Sequence, residues 1–257
     1  MLLFVKRSLW RRLLGSVDGV GVLSSEERDN FIAAGVDPGL LHVVKNSIRL
    51  PERVPPRAFD QRPFRFLFVA RFIPTKGLLE PVRAAAIVRD AGRDFSLLCV
   101  GDGEVRAEAE ALVRSLGLQE QVQFTGYVPE SQVDQHYSSS DCLLFPTYHD
   151  EGFPMVIFNA MALGLPVITT RIRAARDQLS EPANCLWTAA RSPEDTARQM
   201  LRMIDDADLR RAMSAQNMES ARRFTAAAVA PEYVDIYRRL LAGTGMRARL
   251  ARGVEGR

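Results

Sequence analysis

Residues 66–77 read FLFVARFIPTKG, and they contain the pattern that decides the fold. The first five residues form a continuous apolar run, which is typical of a strand buried on both faces of a parallel sheet. A helix at about 78–91 follows the loop. The same order then recurs, with strands at 95–100, 122–124, 142–145 and 166–169 and helices at about 104–116, 131–139 and 154–163.

Strands that alternate with helices of this length predict βαβ units, and therefore a parallel sheet with helices on both faces. Further helices are predicted at about 193–205, 207–223 and 226–241. We expect an α/β fold of the Rossmann-like type. Ligands of such sheets bind in the crevice beyond the carboxyl ends of the strands. Functional residues should therefore follow the predicted strand ends at Ala70, Val100, Phe124, Phe145 and Thr169.

The first 50 residues have a different pattern. Short strands are predicted at 19–23 and 41–44, and Ser24 is a predicted N-cap, with Glu27 at the capping-box position, for a helix through Ala34. Residues 2–14 fit a basic amphipathic helix that lies on an anionic membrane surface or packs on a partner. Prolines at positions 51, 55, 56 and 63 predict a linker between two domains. The predicted domains are 1–50, the linker 51–63, an α/β domain at 64–241 and a basic, disordered tail at 242–257.

Composition narrows the class of protein. The 257 residues are 47% hydrophobic and 25% charged, with a formal net charge of +3, and no run approaches the ~18 apolar residues that a membrane span needs. Cys99, Cys142 and Cys185 lack metal-ligand spacing and predict buried free thiols in a reducing cytoplasm. Nucleic acid is not an expected partner, because aromatic and basic residues do not interleave.

Two strand ends carry residues that suit a phosphate ligand. Arg71 and Lys76 flank a loop that opens a helix, which fits a diphosphate, with two ordinary surface cations as the alternative. Gly101 and Gly103 fit either close approach of the backbone to a ligand or a tight turn. The G-x-G-x-x-G dinucleotide fingerprint needs a glycine where Arg106 stands, so the match to a nicotinamide site is weak.

Residues 150–161 read DEGFPMVIFNAM and follow the fourth strand. Glu151 precedes the helix, Gly152 exposes backbone N–H groups, and Pro154 suits a first helical turn. Asn159 lies on the order of 10 Å from Glu151, a spacing that fits the sugar and the ribose of a nucleotide sugar with the diphosphate between them. A carboxylate that only stabilises the helix terminus is the alternative for Glu151.

The histidines predict no metal site. His149 adjoins two acidic residues, but no second ligand pair has the spacing that a metal requires, and we expect this histidine to be exposed in its loop. His42 and His136 are predicted to be structural.

Three segments together resemble the C-terminal domain of family 4 glycosyltransferases, retaining enzymes with the GT-B fold of two facing Rossmann-like domains. The segments are the loop at 71–77, the turn at 100–103 and residues 151–168. Residues 126–129 resemble the loop whose backbone contacts the base, and this loop includes Val128. The resemblance covers about residues 18–240.

The resemblance implies roles for the matching residues. Arg71 and Lys76 would neutralise the diphosphate leaving group, and Glu151 would bind hydroxyls of the transferred sugar. No cofactor or metal would be needed, because two cations and a helix terminus replace it. The leaving phosphate would take the acceptor's proton on the same face. The implied donor-binding residues are Gly101, Gly103, Val128, Gly152, Phe153, Pro154, Met155 and Asn159.

The implied activity is sugar transfer from a nucleotide diphosphate sugar in polysaccharide or glycolipid synthesis, in the cytoplasm and peripheral to its membrane. Two departures touch the donor side. The family's Glu-x7-Glu motif has Asn159 at its second glutamate, which usually binds the ribose, and neutral bonds are roughly half as strong as charge-assisted ones. The family often has two glycines where residues 171–177 read RIRAARD.

The third departure is that most of the N-terminal, acceptor-side domain is missing from the expected fold, so acceptor positioning would be lost. We expect either that a separate polypeptide supplies this domain or that the chain is a truncated product. The alternative function is a non-catalytic nucleotide-sugar-binding or partner subunit of a split enzyme. A nicotinamide-dependent enzyme is a weaker rival, because both the third glycine and the ribose-binding acid are lacking.

Overall fold

A computed structural model describes residues 14, 17–54, 56–60 and 62–243. Apart from residue 14, the predicted helix at 2–14 lies outside the described residues. So does the predicted tail from residue 244 onward.

The N-terminal residues form a small unit with its own core. Its elements are β1 (Val20–Val22), α1 (Ser25–Ala33) and β2 (Leu41–Val43), with the two strands parallel. The Ser24 side chain accepts a hydrogen bond from the Glu27 N–H at 3.0 Å, which confirms the predicted N-cap. Val22, Val36 and Leu41 are buried in a cluster separate from the main core.

Six parallel strands form the main sheet. They are β3 (Phe64–Val69), β4 (Phe95–Val100), β5 (Val122–Gly126), β6 (Cys142–Phe145), β7 (Val167–Thr169) and β8 (Leu186–Trp187). Their order is β5-β4-β3-β6-β7-β8, which is the 3-2-1-4-5-6 order of the Rossmann fold. The predicted α/β class is confirmed, and β3 to β7 were each predicted to within two residues. Strand β8 was not predicted.

Helices cover both faces of this sheet. They are α2 (Leu79–Asp90), α3 (Arg106–Ser115), α4 (Glu130–Ser139), α5 (Met155–Ala162), α6 (Arg173–Gln178), α7 (Pro193–Asp205), α8 (Ala207–Ala221) and α9 (Ala226–Gly243). Helix α2 packs against α3 and α7, whereas α5 packs against α8. Right-handed crossovers place these two groups on opposite faces. Helix α6 was not predicted. The core between the layers includes Phe66, Phe68, Leu97 and Leu143, all 0% exposed.

Arginines pack the predicted linker onto the sheet domain. Arg57 donates hydrogen bonds to the carbonyl oxygens of Tyr137 and Leu163, at 2.9 and 3.0 Å, near the ends of α4 and α5. Burial lowers the pKa of Arg57 to about 10. Arg210 donates to the carbonyl oxygen of Phe59. The linker is therefore anchored in two ways: Arg57 satisfies helix-terminal carbonyls, and Arg210 of α8 binds a carbonyl of the linker itself.

Helix α9 connects the sheet domain back to the small unit. Lys45 Nζ lies 2.6 Å from Glu232 Oε1, and the Tyr233 hydroxyl donates to the Lys45 carbonyl oxygen at 3.1 Å. Ile48 forms a parallel bridge with Thr225. The helix ends two residues beyond the predicted domain boundary at 241. Most of α9 lies within the predicted domain at 64–241, but it also contacts the small unit at Lys45.

The cysteines are free and buried, as predicted. Burial raises the pKa of each thiol. Within the described ranges, no helix is both long and apolar enough to cross a membrane.

Candidate functional site

The strand order creates a topological switch point between β3 and β6. After β3 the chain continues to β4 on one side of the sheet, and after β6 it continues to β7 on the other side. The loops at these neighbouring carboxyl ends diverge and leave a crevice between them, which is where ligands bind in such sheets. Lys76 and Glu151 lie on these two loops.

Lys76 and Glu151 meet across the crevice. The Lys76 ammonium group donates a hydrogen bond to Glu151 Oε1, and each side chain is only 14% exposed. Lys76 ends a short 3-10 helix, and Gly77 follows it with a φ of 72°. A Cβ at Gly77 would lie 2.5 Å from the Pro146 carbonyl oxygen. Glycine is therefore required for the two loops to approach this closely.

Hydrogen bonds between the loops fix this geometry. The Thr75 carbonyl oxygen accepts from the Tyr148 N–H at 2.9 Å and from the Thr147 hydroxyl at 3.2 Å. His149 Nδ1 lies 2.8 Å from Thr75 Oγ1. His149 is half-buried, so the prediction that it is exposed is wrong. In the part of the chain that the structure describes, no cluster of three His, Cys, Asp or Glu residues could hold a metal ion.

Arg71, the second predicted cation, lies at the start of the same loop as Lys76. It is exposed, and no carboxylate among the described residues forms an ion pair with it. The structure thus brings Lys76 together with Glu151 and leaves the Arg71 guanidinium at the surface.

The glycines after β4 are explained by backbone packing. Gly101 and Gly103 have φ values of 138° and 152°. A Cβ at these positions would lie 1.9 Å from the Ala70 carbonyl oxygen and 2.6 Å from that of Phe72. The Phe72 N–H also donates to the Asp102 carbonyl oxygen at 2.8 Å. Backbone packing thus accounts for both glycines, and close approach of a ligand to them stays a prediction.

The N-terminus of α5 lies directly after Glu151. No side chain caps it, so the N–H groups of its first turn carry the partial positive charge that attracts anions. Phe153 is buried, and its ring stacks on Phe158 with centroids 3.9 Å apart. A Cβ at Gly152 would lie 2.9 Å from Leu23 Cδ1, so this turn packs against the small N-terminal unit.

A cleft of about 1100 Å³ opens beside the start of α5. Three predicted donor-binding residues line it, namely Val128, Met155 and Asn159. The Lys76–Glu151 pair is not among its lining residues. Two basic lining residues, Arg49 and Arg53, were missed, and Tyr127 was predicted only as part of the loop at 126–129, without a role for its side chain. The 79% exposure of Tyr127 and the positions of Arg49, which precedes the linker, and Arg53, which lies in it, depend on tertiary structure.

An open parallel sheet in this order, with a lysine, a carboxylate and an uncapped helix N-terminus at its switch point, defines a Rossmann-like domain with a crevice where ligands of such sheets bind. Residues 52–220 match the family model described as Glycosyl transferases group 1. The chain belongs to this family, and the resemblance to glycosyltransferases is confirmed.

Named relatives extend beyond this chain. The 2-deoxystreptamine glucosyltransferase of Streptomyces kanamyceticus is 35% identical over 139 residues, which cover 54% of this chain and 36% of the relative. The amylovoran biosynthesis glycosyltransferase AmsK of Erwinia amylovora is 29% identical over 147 residues, with the same two shares, 54% and 36%. The chain thus spans about a third of the length of these relatives.

Solved structures share the fold. HepE of Anabaena in complex with UDP superposes with a TM-score of 0.78 at 18% identity, over 92% of this chain and 69% of that one. Sucrose-phosphate synthase of Thermosynechococcus elongatus gives a TM-score of 0.77 at 24% identity, over 93% and 62%. These neighbours are GT-B glycosyltransferases, and the sheet flanked by helices is of the GT-B type.

Proposed function

We propose that this chain binds a nucleotide diphosphate sugar as the donor-side part of a retaining, family 4 glycosyltransferase. The observation that carries this proposal is the Lys76–Glu151 pair at the switch point, beside the uncapped N-terminus of α5. The UDP bound to HepE, which shares the fold, supports a nucleotide ligand.

The donor's diphosphate lies at the α5 N-terminus in this proposal. Arg71 and Lys76 neutralise it, so Lys76 exchanges its contact with Glu151 for phosphate oxygens. Glu151 is then free to accept hydrogen bonds from sugar hydroxyls. Negative charge grows on the leaving diphosphate in the transition state, and the two cations and the helix dipole stabilise it there. The leaving oxygen takes the acceptor's proton on the same face, which retains the configuration.

The nucleoside occupies the neighbouring cleft. Asn159 reaches the ribose, and the loop that contains Val128 contacts the base. Tyr127 offers an exposed ring for stacking at the same place.

The acceptor side is a further part of the proposal. Because the chain spans about a third of its named relatives, we propose that a separate acceptor-binding domain, on another polypeptide if not on this one, faces the crevice. The AmsK relative is named for amylovoran biosynthesis, and a role in polysaccharide or glycolipid synthesis is part of the proposal. Such work at the cytoplasmic membrane face would suit the basic residues 1–14.

Calorimetric titration with UDP, GDP and ADP tests the donor site. We expect one diphosphate to bind saturably, and Arg71→Ala/Lys76→Ala to weaken it by about 100-fold or more, since two charge-assisted contacts are removed. Lys45→Ala/Arg93→Ala is the matched control, because it removes the same charge from two partly exposed ion pairs, with Glu232 and Asp205, that include neither Lys76 nor Glu151. Failure to bind any diphosphate, or equal binding by the double variant, would contradict the proposal.

A non-catalytic nucleotide-sugar-binding subunit is the second candidate, because the groups assigned to donor binding, Lys76, Glu151 and Asn159, all lie within this chain. Slow hydrolysis of the bound donor separates the two, because water can replace an absent acceptor. A retaining enzyme should release the sugar with the donor's anomeric configuration, as observed by proton NMR. Tight binding without any turnover would favour the non-catalytic subunit.

A further inference from the structure

Two arginines have backbone conformations that favour glycine. Arg173 and Arg191 have φ values of 36° and 57°, and no other non-glycine residue in the described ranges has a positive φ. Both lie at the sheet edge that carries the crevice: Arg173 begins α6 after β7, and Arg191 follows β8. Strained residues of this kind persist where surrounding contacts hold them, and they cluster at functional sites.

The side chain of Arg173 reaches the loop of Glu151. Its Nη2 lies 3.3 Å from Asp150 Oδ1, and its other nitrogens lie 3.9 and 4.0 Å from carboxylate oxygens of Glu26 and Glu27. The Arg173 side chain is only 14% exposed, whereas its partner Asp150 is 83% exposed, so solvent reaches this ion pair from the Asp150 side. One guanidinium therefore ties the residue before Glu151 to α1 of the small unit.

The side chain of Arg191 reaches the same loop at a second point. Its guanidinium carbon lies 4.4 Å from the centroid of the Tyr148 ring, within the range of a favourable cation–π contact. The Tyr148 N–H is also bonded to the Thr75 carbonyl oxygen. The loop is thus held at Tyr148 and at Asp150, the residues on either side of His149.

We propose that Arg173 and Arg191 are positioning residues that hold loop 146–151 so that Glu151 faces the donor sugar in one orientation. They do not contact the donor. The part that concerns the sugar rests on the proposed function, whereas the restraint of the loop does not. Because displacements of about 1 Å cost as much as 100-fold in positioned reactions, a restraint on the backbone beside Glu151 matters for sugar recognition.

Hydrogen exchange of the ligand-free protein tests the restraint. Arg173→Gln and Arg191→Gln should each raise exchange of the Tyr148 and Glu151 amides about tenfold, because local opening no longer breaks an arginine contact. Two other variants are controls. Arg176 lies on the same helix as Arg173, and Arg176→Gln removes its ion pair with Glu26 of α1. Arg198→Gln removes an ion pair with Asp195. Neither control should alter the loop. Unchanged exchange in both loop variants would overturn the proposal.

Substitution by glycine excludes a general loss of stability as the cause. Arg173→Gly and Arg191→Gly remove the side chain and also relieve the left-handed backbone. Faster exchange of the loop amides without a lower thermal midpoint would therefore show that the arginine side chain restrains the loop and does not merely stabilise the fold. A lower midpoint with faster exchange throughout the sheet would instead indicate a merely structural role and would overturn the proposal.

Donor affinity tests the consequence for the sugar. With the base that binds in the titration above, each loop variant should lose about five- to tenfold in affinity for the nucleotide sugar and less than twofold for the nucleoside diphosphate. Arg173→Lys should restore part of this difference, since it keeps the charge. Equal losses for both ligands would overturn the role in sugar positioning. If no nucleotide binds the native protein, the proposed function fails, and the exchange measurement still decides the restraint.

Discussion

The loops after β3, β4 and β6 and the loops after β7 and β8 lie on the same edge of one sheet, but they use left-handed backbone differently. In the first set, glycine stands where one backbone meets another, as at Gly77 and Gly101. In the second set, Arg173 and Arg191 occupy such conformations, at a cost of about 1–2 kcal/mol each. Glycine is thus dictated by close backbone approach, whereas the two arginines make side-chain contacts with the Glu151 loop from the same kind of backbone conformation.

Gly101→Ala should cause the largest loss of stability, since its Cβ would lie 1.9 Å from the Ala70 carbonyl oxygen. We expect the free energy of unfolding to fall by about 4 kcal/mol or more, because the loop after β3 must move. Gly92→Ala is the control: its φ is 72°, but nothing lies within 4 Å of the new Cβ, and we expect a loss of about 1 kcal/mol. Equal losses in urea unfolding would show that backbone conformation alone requires glycine.

Lys76→Ala should have the next largest effect, on ligand affinity. Loss of one charge-assisted contact should weaken nucleoside diphosphate binding by about 10- to 100-fold, or 1.4–2.7 kcal/mol. Lys45→Ala is the matched control, because Lys45 pairs with Glu232 away from the crevice. If calorimetry gives the same affinity for both variants, the diphosphate does not bind at the β3–β6 switch point.

Most strands of the sheet could be predicted because they are continuous or nearly continuous apolar runs, and the loops between them are rich in polar residues, glycine and proline. The run at 142–145 is buried at every position, and its predicted bounds match the structure. Strand β8 has two residues, Leu186 and Trp187, and no periodicity can identify so short an element. Helix α6 has six residues and begins at Arg173 in a left-handed conformation, so no ordinary helix signal marks its start.

Lys76 and Glu151 could be placed at one edge of the sheet from the sequence, because parallel strands present their carboxyl ends there. That rule predicts Lys76 and Glu151 as neighbours once their strands are known, and the ion pair confirms their proximity. It cannot predict that Arg173 reaches Asp150, since that contact depends on φ at one residue and on the packing of α1. Tyr148 beneath Arg191 was missed for the same reason.

Arg191→Gly and Arg191→Ala together should separate backbone strain from side-chain contact. Both lose the contact with Tyr148, which is worth about 0.5–1 kcal/mol, but only glycine relieves the backbone. We therefore expect the glycine variant to be about 1 kcal/mol more stable than the alanine variant and close to the native protein. Urea unfolding measures this difference. Two variants of equal stability would mean that the backbone of Arg191 is not strained. Only Arg173 would then support the contrast between the two sets of loops.

Asn159→Glu should have the smallest effect on ligand affinity. It tests whether Asn159, which replaces the second glutamate of the family's Glu-x7-Glu motif, contacts the ribose. Asn159 lines the cleft beside Met155 and Val128. If its side chain meets the ribose, a carboxylate should form stronger, charge-assisted bonds with the hydroxyls and tighten nucleoside diphosphate binding about threefold. Inorganic pyrophosphate has no ribose, and the added negative charge should weaken its binding. Opposite changes in the two calorimetric affinities would place the ribose at Asn159. Weaker binding of both ligands would mean that the nucleoside lies elsewhere, and that only the Lys76–Glu151 end of the crevice follows the family pattern.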